Sequence, residues 1–123
     1  VPESFVLHYR RISLTSFWKQ TYKSGKARYD ILRASPQSFE LVHVAPSIFI
    51  VVLISSGILA ITSVYISYLF IFFVFSYLIA LIIQTTIGSI KTKSLSSLII
   101  VPLTTTIMHF SYGLGFIKKF VFN

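Results

Sequence analysis

Acidic residues are almost missing from this 123-residue chain: Glu3, Asp30 and Glu40 are all it has. No two of them lie near each other in sequence, so the chain offers neither a carboxylate pair for a metal-diphosphate site nor a credible general base. Cysteine is absent as well, which excludes a disulfide framework and a thiolate metal site. The three histidines, His8, His43 and His109, are too scattered in sequence to suggest another kind of metal site. The longest absence is of charge itself. Between Glu40 and Lys91 there is no Asp, Glu, Lys or Arg, a gap that suits hydrocarbon, where only self-satisfied backbone is tolerated, better than water.

What fills the gap is apolar. Hydrophobic residues make up 54 % of the chain, charged residues 11 %, and the mean hydropathy is +0.81, too high for an ordinary soluble domain. The composition predicts an α-helical membrane protein. The net charge of +8 divides evenly: seven Lys/Arg against three acids in residues 1–45 give +4, and Lys91, Lys93, Lys118 and Lys119 give +4. Positive flanks beside apolar spans point to anionic lipid headgroups as partners rather than to nucleic acid. The opening "VPESFVLHYRR" lacks the order of a signal peptide, and starting at Val1 it reads as the continuation of a longer protein.

Periodicity divides the chain. Residues 1–12 read as the end of a cytoplasmic domain, with a short strand at Phe5–Tyr9, "FVLHY". Residues 13–45 read as an amphipathic helix and linker, with Ser13 as cap and the helix running to about Leu32, because the residue before Pro36 is pushed out of helical geometry. Residues 46–117 hold three spans, at about 46–63, 69–87 and 95–117, and 118–123 form a tail. Pro46 is expected in the first turn of its span, and Tyr65 and Tyr68 at headgroup level in a turn near 63–68. The third span, with Pro102, three threonines, His109, Ser111, Gly113 and Gly115, is expected to face protein rather than lipid. Ser111 and Gly115 form a small-xxx-small surface there, and His109 is expected to bond Thr105 or a neighbouring span. Lys and Arg before the first and third spans place the N-terminal part in the cytoplasm of a multi-pass protein of the cell membrane.

At 100° per residue, Leu14, Phe17, Trp18, Thr21, Gly25, Tyr29 and Leu32 share one side of the first helix, and Lys19, Lys23, Lys26, Asp30 and Arg33 share the other. A helix so divided is expected to lie in the membrane interface; a helix packed on a soluble domain would show the same pattern. Arg28 breaks it. Gln20, Ser24 and Arg28, at i, i+4 and i+8, form a polar line along the edge of the apolar face, and Gly25 within that face opens room for a backbone or a ligand. Either Arg28 reaches out to lipid phosphate, or it serves a site.

The stretch "HYRRISLTSFWKQTYKSGKAR", followed by "VHVAPSIFIVVL" and later "MHFSYGLGFIK", resembles the C-terminal portion of family 2 glycosyltransferases of the succinoglycan and exopolysaccharide type. In that family an α/β catalytic domain of GT-A fold precedes an interfacial helix of the form Arg-x-x-Leu, Gln, aromatic or small residue, Gly, x-x-Arg, and then a few membrane helices. Arg11, Leu14, Gln20, Ser24, Gly25 and Arg28 occupy those positions. Ser24 stands where the family more often has Tyr, and the Gln-x-x-Arg-Trp motif of processive synthases is not reproduced, which argues against processive synthesis. The resemblance implies that Gln20, Ser24, Gly25 and Arg28, with His8 on the acceptor side, border the place where the donor diphosphate and the acceptor meet. An arginine fork is well suited to phosphate.

It also implies a sugar transferred from a nucleotide sugar to a lipid-linked or membrane-borne glycan, with a divalent metal, Mg or Mn, held in the upstream domain. This stretch would supply no catalytic residue, no metal ligand and no cofactor of its own, and is expected to be inactive alone. The competing expectation is a small self-contained membrane protein without enzymatic activity, an assembly subunit or pore former, whose basic helix docks on anionic lipid. A transporter fragment fits less well, since no paired repeat or intramembrane charge cluster is present.

Overall fold

The computed structural model describes residues 13–123. The strand expected at Phe5–Tyr9, with His8, lies outside the described residues. Among those described there is no strand: the order is α1 (Leu14–Ala34), a single 3-10 turn (Pro36–Ser38), α2 (Leu41–Leu59), α3 (Val64–Thr92) and α4 (Ser97–Val121).

Each boundary has a local cause. Ser13 caps α1, its hydroxyl accepting from the Ser16 amide at 3.1 Å. At the other end Ser35, forced extended by Pro36, closes the helix through its amide to the Ile31 carbonyl, and Pro36 opens the 3-10 turn. The first span starts earlier than expected. Pro46 is the sixth residue of α2, not part of its first turn, because the apolar run reaches back to Leu41 and only Glu40, the last charge, interrupts it. The missing proline N–H leaves the Val42 carbonyl without its helical donor.

The turn between α2 and α3 also falls earlier than 63–68. Ala60–Ser63 make it: Thr62 bonds back to the Leu59 carbonyl, and the Ser67 hydroxyl donates to the Ala60 carbonyl at 2.6 Å. Tyr65 and Tyr68 therefore belong to the opening turns of α3, both exposed. At 29 residues α3 is roughly 43 Å long, beyond the ~30 Å of a hydrocarbon core. It ends at Lys93, whose φ of 50° is left-handed. Lys118 and Lys119, expected in a tail, form the last turn of α4.

Helix α4 is the hub. Along α3 it runs antiparallel, with Thr92 at Ser97, Gly88 at Val101 and Tyr77 at His109. Beside α1 it runs parallel, with Thr21 at Ser111, Tyr29 at Phe116 and Phe120, and Asp30 at Lys119. It meets α2 where the Ser47 hydroxyl donates to the Gly113 carbonyl. The third apolar stretch thus turns its small and polar residues, Thr105, Ser111, Gly113 and Gly115, toward protein, while Leu98, Ile99, Ile100 and Leu103 stay exposed.

The only large apolar side chains buried among the described residues are Ile50 and Phe116. So small a core cannot hold the fold in water through burial alone. Helices α2, α3 and α4 are each long and apolar enough to cross a bilayer, the pattern of a multi-pass α-helical membrane protein, and most of their apolar surface points outward, as expected when lipid is the solvent.

Candidate functional site

The apolar face of α1 is covered by α4 from Thr21 to Tyr29, whereas Leu14 and Trp18 stay exposed. Gly25 is buried, and a methyl group built on it would run into the Tyr112 carbonyl; one built on Gly115 would run into the Tyr22 carbonyl. Two glycines therefore let two helix backbones touch. Around this crossing the Thr21 and Ser111 hydroxyls are bonded, and the Tyr29 ring meets Phe116 and Phe120 edge-on at 5.6 and 6.0 Å. The expected apolar side is thus real, and its partner among the described residues is another helix of the chain.

Arg28, next along this edge, is half-buried where α1, the 3-10 turn and α2 converge. Its Nη2 donates to the Ser38 carbonyl at 3.0 Å and lies 3.0 Å from His43 Nδ1. A guanidinium has no acceptor, so in this bond His43 must accept at Nδ1, which places its proton on Nε2. Glu40 approaches the same nitrogen, with Oε2 at 3.3 Å. Tyr112, on α4, is close enough to interact electrostatically with Arg28, and its buried hydroxyl has no partner among the described residues. Two groups able to donate, the Arg28 guanidinium and the His43 ring, and one carboxylate thus meet at the start of α2.

Beside this cluster runs an open, mainly apolar groove of about 280 Å³ between Val44, Ser47, Ile48 and Val51 of α2 and Phe116 and Phe120 of α4. Val44 follows His43 in sequence, and Phe116 and Phe120 pack on Tyr29, so the groove opens next to the Arg28 cluster.

Of the residues expected to share a site, Gly25 packs against α4 and Arg28 against the 3-10 turn and α2, so each has its own partners. Gln20 and Ser24 are exposed, and the Ser24 hydroxyl bonds the Gln20 carbonyl at 3.0 Å within its own helix. His8 lies outside the described residues. His109 bonds Tyr77 of α3 at 3.2 Å, the neighbouring-helix option, and Tyr77 stacks on Phe49. No group of His, Asp and Glu among the described residues could hold a metal ion.

The residues that pattern reading missed are His43, Glu40, Ser38 and Tyr112. Only the i, i+3 spacing of Glu40 and His43 at the start of an apolar run hinted at the pair; Tyr112 is brought in by tertiary packing. No known protein family, curated protein or solved structure matches the chain.

Proposed function

We propose that this chain is the C-terminal membrane part of a family 2 glycosyltransferase that transfers a sugar from a nucleotide sugar to a lipid-linked or membrane-borne glycan, the bond-making chemistry and its Mg or Mn belonging to an upstream GT-A domain. The observation that carries this reading is Arg28: a half-buried guanidinium anchored at the junction of three elements, where an arginine that merely reached for headgroups would extend into solvent. Held there, it offers fixed positive charge to a leaving diphosphate. Gly25, by admitting α4, sets its height.

In this reading α1 lies in the cytoplasmic interface of the cell membrane, Lys19, Lys23 and Lys26 toward anionic headgroups, and α2 to α4 anchor it. Gln20 and Ser24, exposed about two turns and one turn before Arg28, face the upstream domain.

The test is sugar transfer by the full-length protein in its own membranes, supplied with labelled nucleotide sugars. Arg28→Ala should abolish transfer and leave membrane insertion intact, whereas Lys23→Ala should retain most of it. Unchanged turnover in Arg28→Ala would reject the role.

A further inference from the structure

We propose that uncharged His43 orients Arg28, and that protonation of His43 hands its Nδ1 from the Arg28 guanidinium to the Glu40 carboxylate, releasing the arginine.

The geometry contains both states. His43 Nδ1 lies 3.0 Å from Arg28 Nη2 and 3.3 Å from Glu40 Oε2. It cannot serve both. Toward arginine it must present a lone pair, and toward the carboxylate it must present a proton. Whichever form the ring takes, one bond is made and the other is lost, and in the imidazolium form the two adjacent cations also repel. Arg28 uses a single nitrogen, Nη2, for both its anchors, the Ser38 carbonyl and His43, so losing His43 leaves the guanidinium hinged on one carbonyl.

The surroundings do not add a rival. On α1 the nearby acid, Asp30, is engaged with Lys119 of α4 at 3.6 Å. From α4, Tyr112 brings a neutral phenol toward Arg28. From α3, Tyr77 bonds His109 and lies with it on the Val42, Ala45 and Pro46 side of α2. The choice is therefore between Arg28 and Glu40. What the release does to phosphate binding rests on the reading of Arg28 given above; the exchange of partners does not.

The exchange can be seen by nitrogen NMR of the full-length protein, histidine- and arginine-labelled, in phosphatidylcholine nanodiscs. At about pH 8, above the ordinary imidazole range, His43 should show the Nε2–H tautomer with a hydrogen-bonded Nδ1, and the Arg28 Nη protons should exchange slowly relative to a free guanidinium at the same pH, the comparison used at every pH below. At about pH 5 both ring nitrogens should carry protons and the slow exchange should be lost. His43→Gln, which retains an acceptor but no titration, assigns the signal and should keep Arg28 slow at both values. Near the midpoint, Glu40→Gln should lower the protonated fraction of His43 and Arg28→Gln should raise it. A Nδ1–H tautomer in the alkaline sample, or Arg28 exchange that does not change with pH, would overturn the proposal, and both are read on the unmutated protein. Failure of the transfer assay would instead strike the glycosyltransferase reading and leave this result standing.

Discussion

Gly25 and Gly115 face each other's helices so closely that each would place a side-chain carbon into a carbonyl of the opposite backbone, Tyr112 and Tyr22 respectively. Backbone cannot rotate aside as a side chain can. Gly25→Ala and Gly115→Ala should each push α1 off α4, at a cost of roughly 1–3 kcal/mol as for other overpacking, with faster hydrogen exchange along α1. Gly57→Ala is the contrast: its methyl would meet only the Phe70 ring, at 3.2 Å, which can yield, and helix propensity gains up to ~1 kcal/mol. Thermal unfolding in detergent should rank Gly57→Ala at or above the parent and both other variants below it.

The Thr21–Ser111 bond predicts an asymmetry. Thr21 has one hydroxyl proton and a carbonyl acceptor in its own helix, Phe17 at 2.9 Å; Ser111, fully buried, has Thr21 as its partner among the described residues. Thr21→Val strands a buried hydroxyl and should cost about 1–3 kcal/mol, whereas Ser111→Ala leaves Thr21 satisfied and should cost about 1 kcal/mol or less. Equal losses in the two variants would mean that Ser111 finds another acceptor.

Lys93 closes α3 in the left-handed region, at φ 50°, where a side chain is penalised and glycine is not. Lys93→Gly should raise stability by about 1 kcal/mol, measured as a higher Tm. No gain would indicate that the lysine charge compensates at this end of the helix.

Asp30 and Lys119 pair at 3.6 Å with the carboxylate more than half exposed. Such a pair contributes ~0–1 kcal/mol and is weakened by salt. Asp30→Asn should therefore leave unfolding nearly unchanged and insensitive to added salt; a large loss would show that the pair holds the ends of α1 and α4 together.

The helices were legible because their causes are local. The charge-free stretch between Glu40 and Lys91, Ser13 before an amphipathic run and Pro36 after it each act within a turn or two, and they predicted helices where the structure has them. Boundaries were less legible: Pro46 suggested a start and "SVYISY" a turn, but a continuous apolar run carried α2 back to Leu41, and Thr62, Ser63 and Ser67 made the turn earlier. Ser111 and Gly115 announced close packing without naming the partner, which is the interfacial candidate α1 and not another long apolar helix.

The sequence by itself determined the solvent and the secondary structure of this protein, since hydropathy and periodicity are sums over neighbours in the chain. Only the tertiary structure decided what Arg28 does among the described residues. Its partners His43 and Ser38, and Glu40 beside His43, lie beyond a helix end and a proline turn. No spacing rule connects residues whose meeting depends on how the chain turns at Pro36 and brings α2 back to α1.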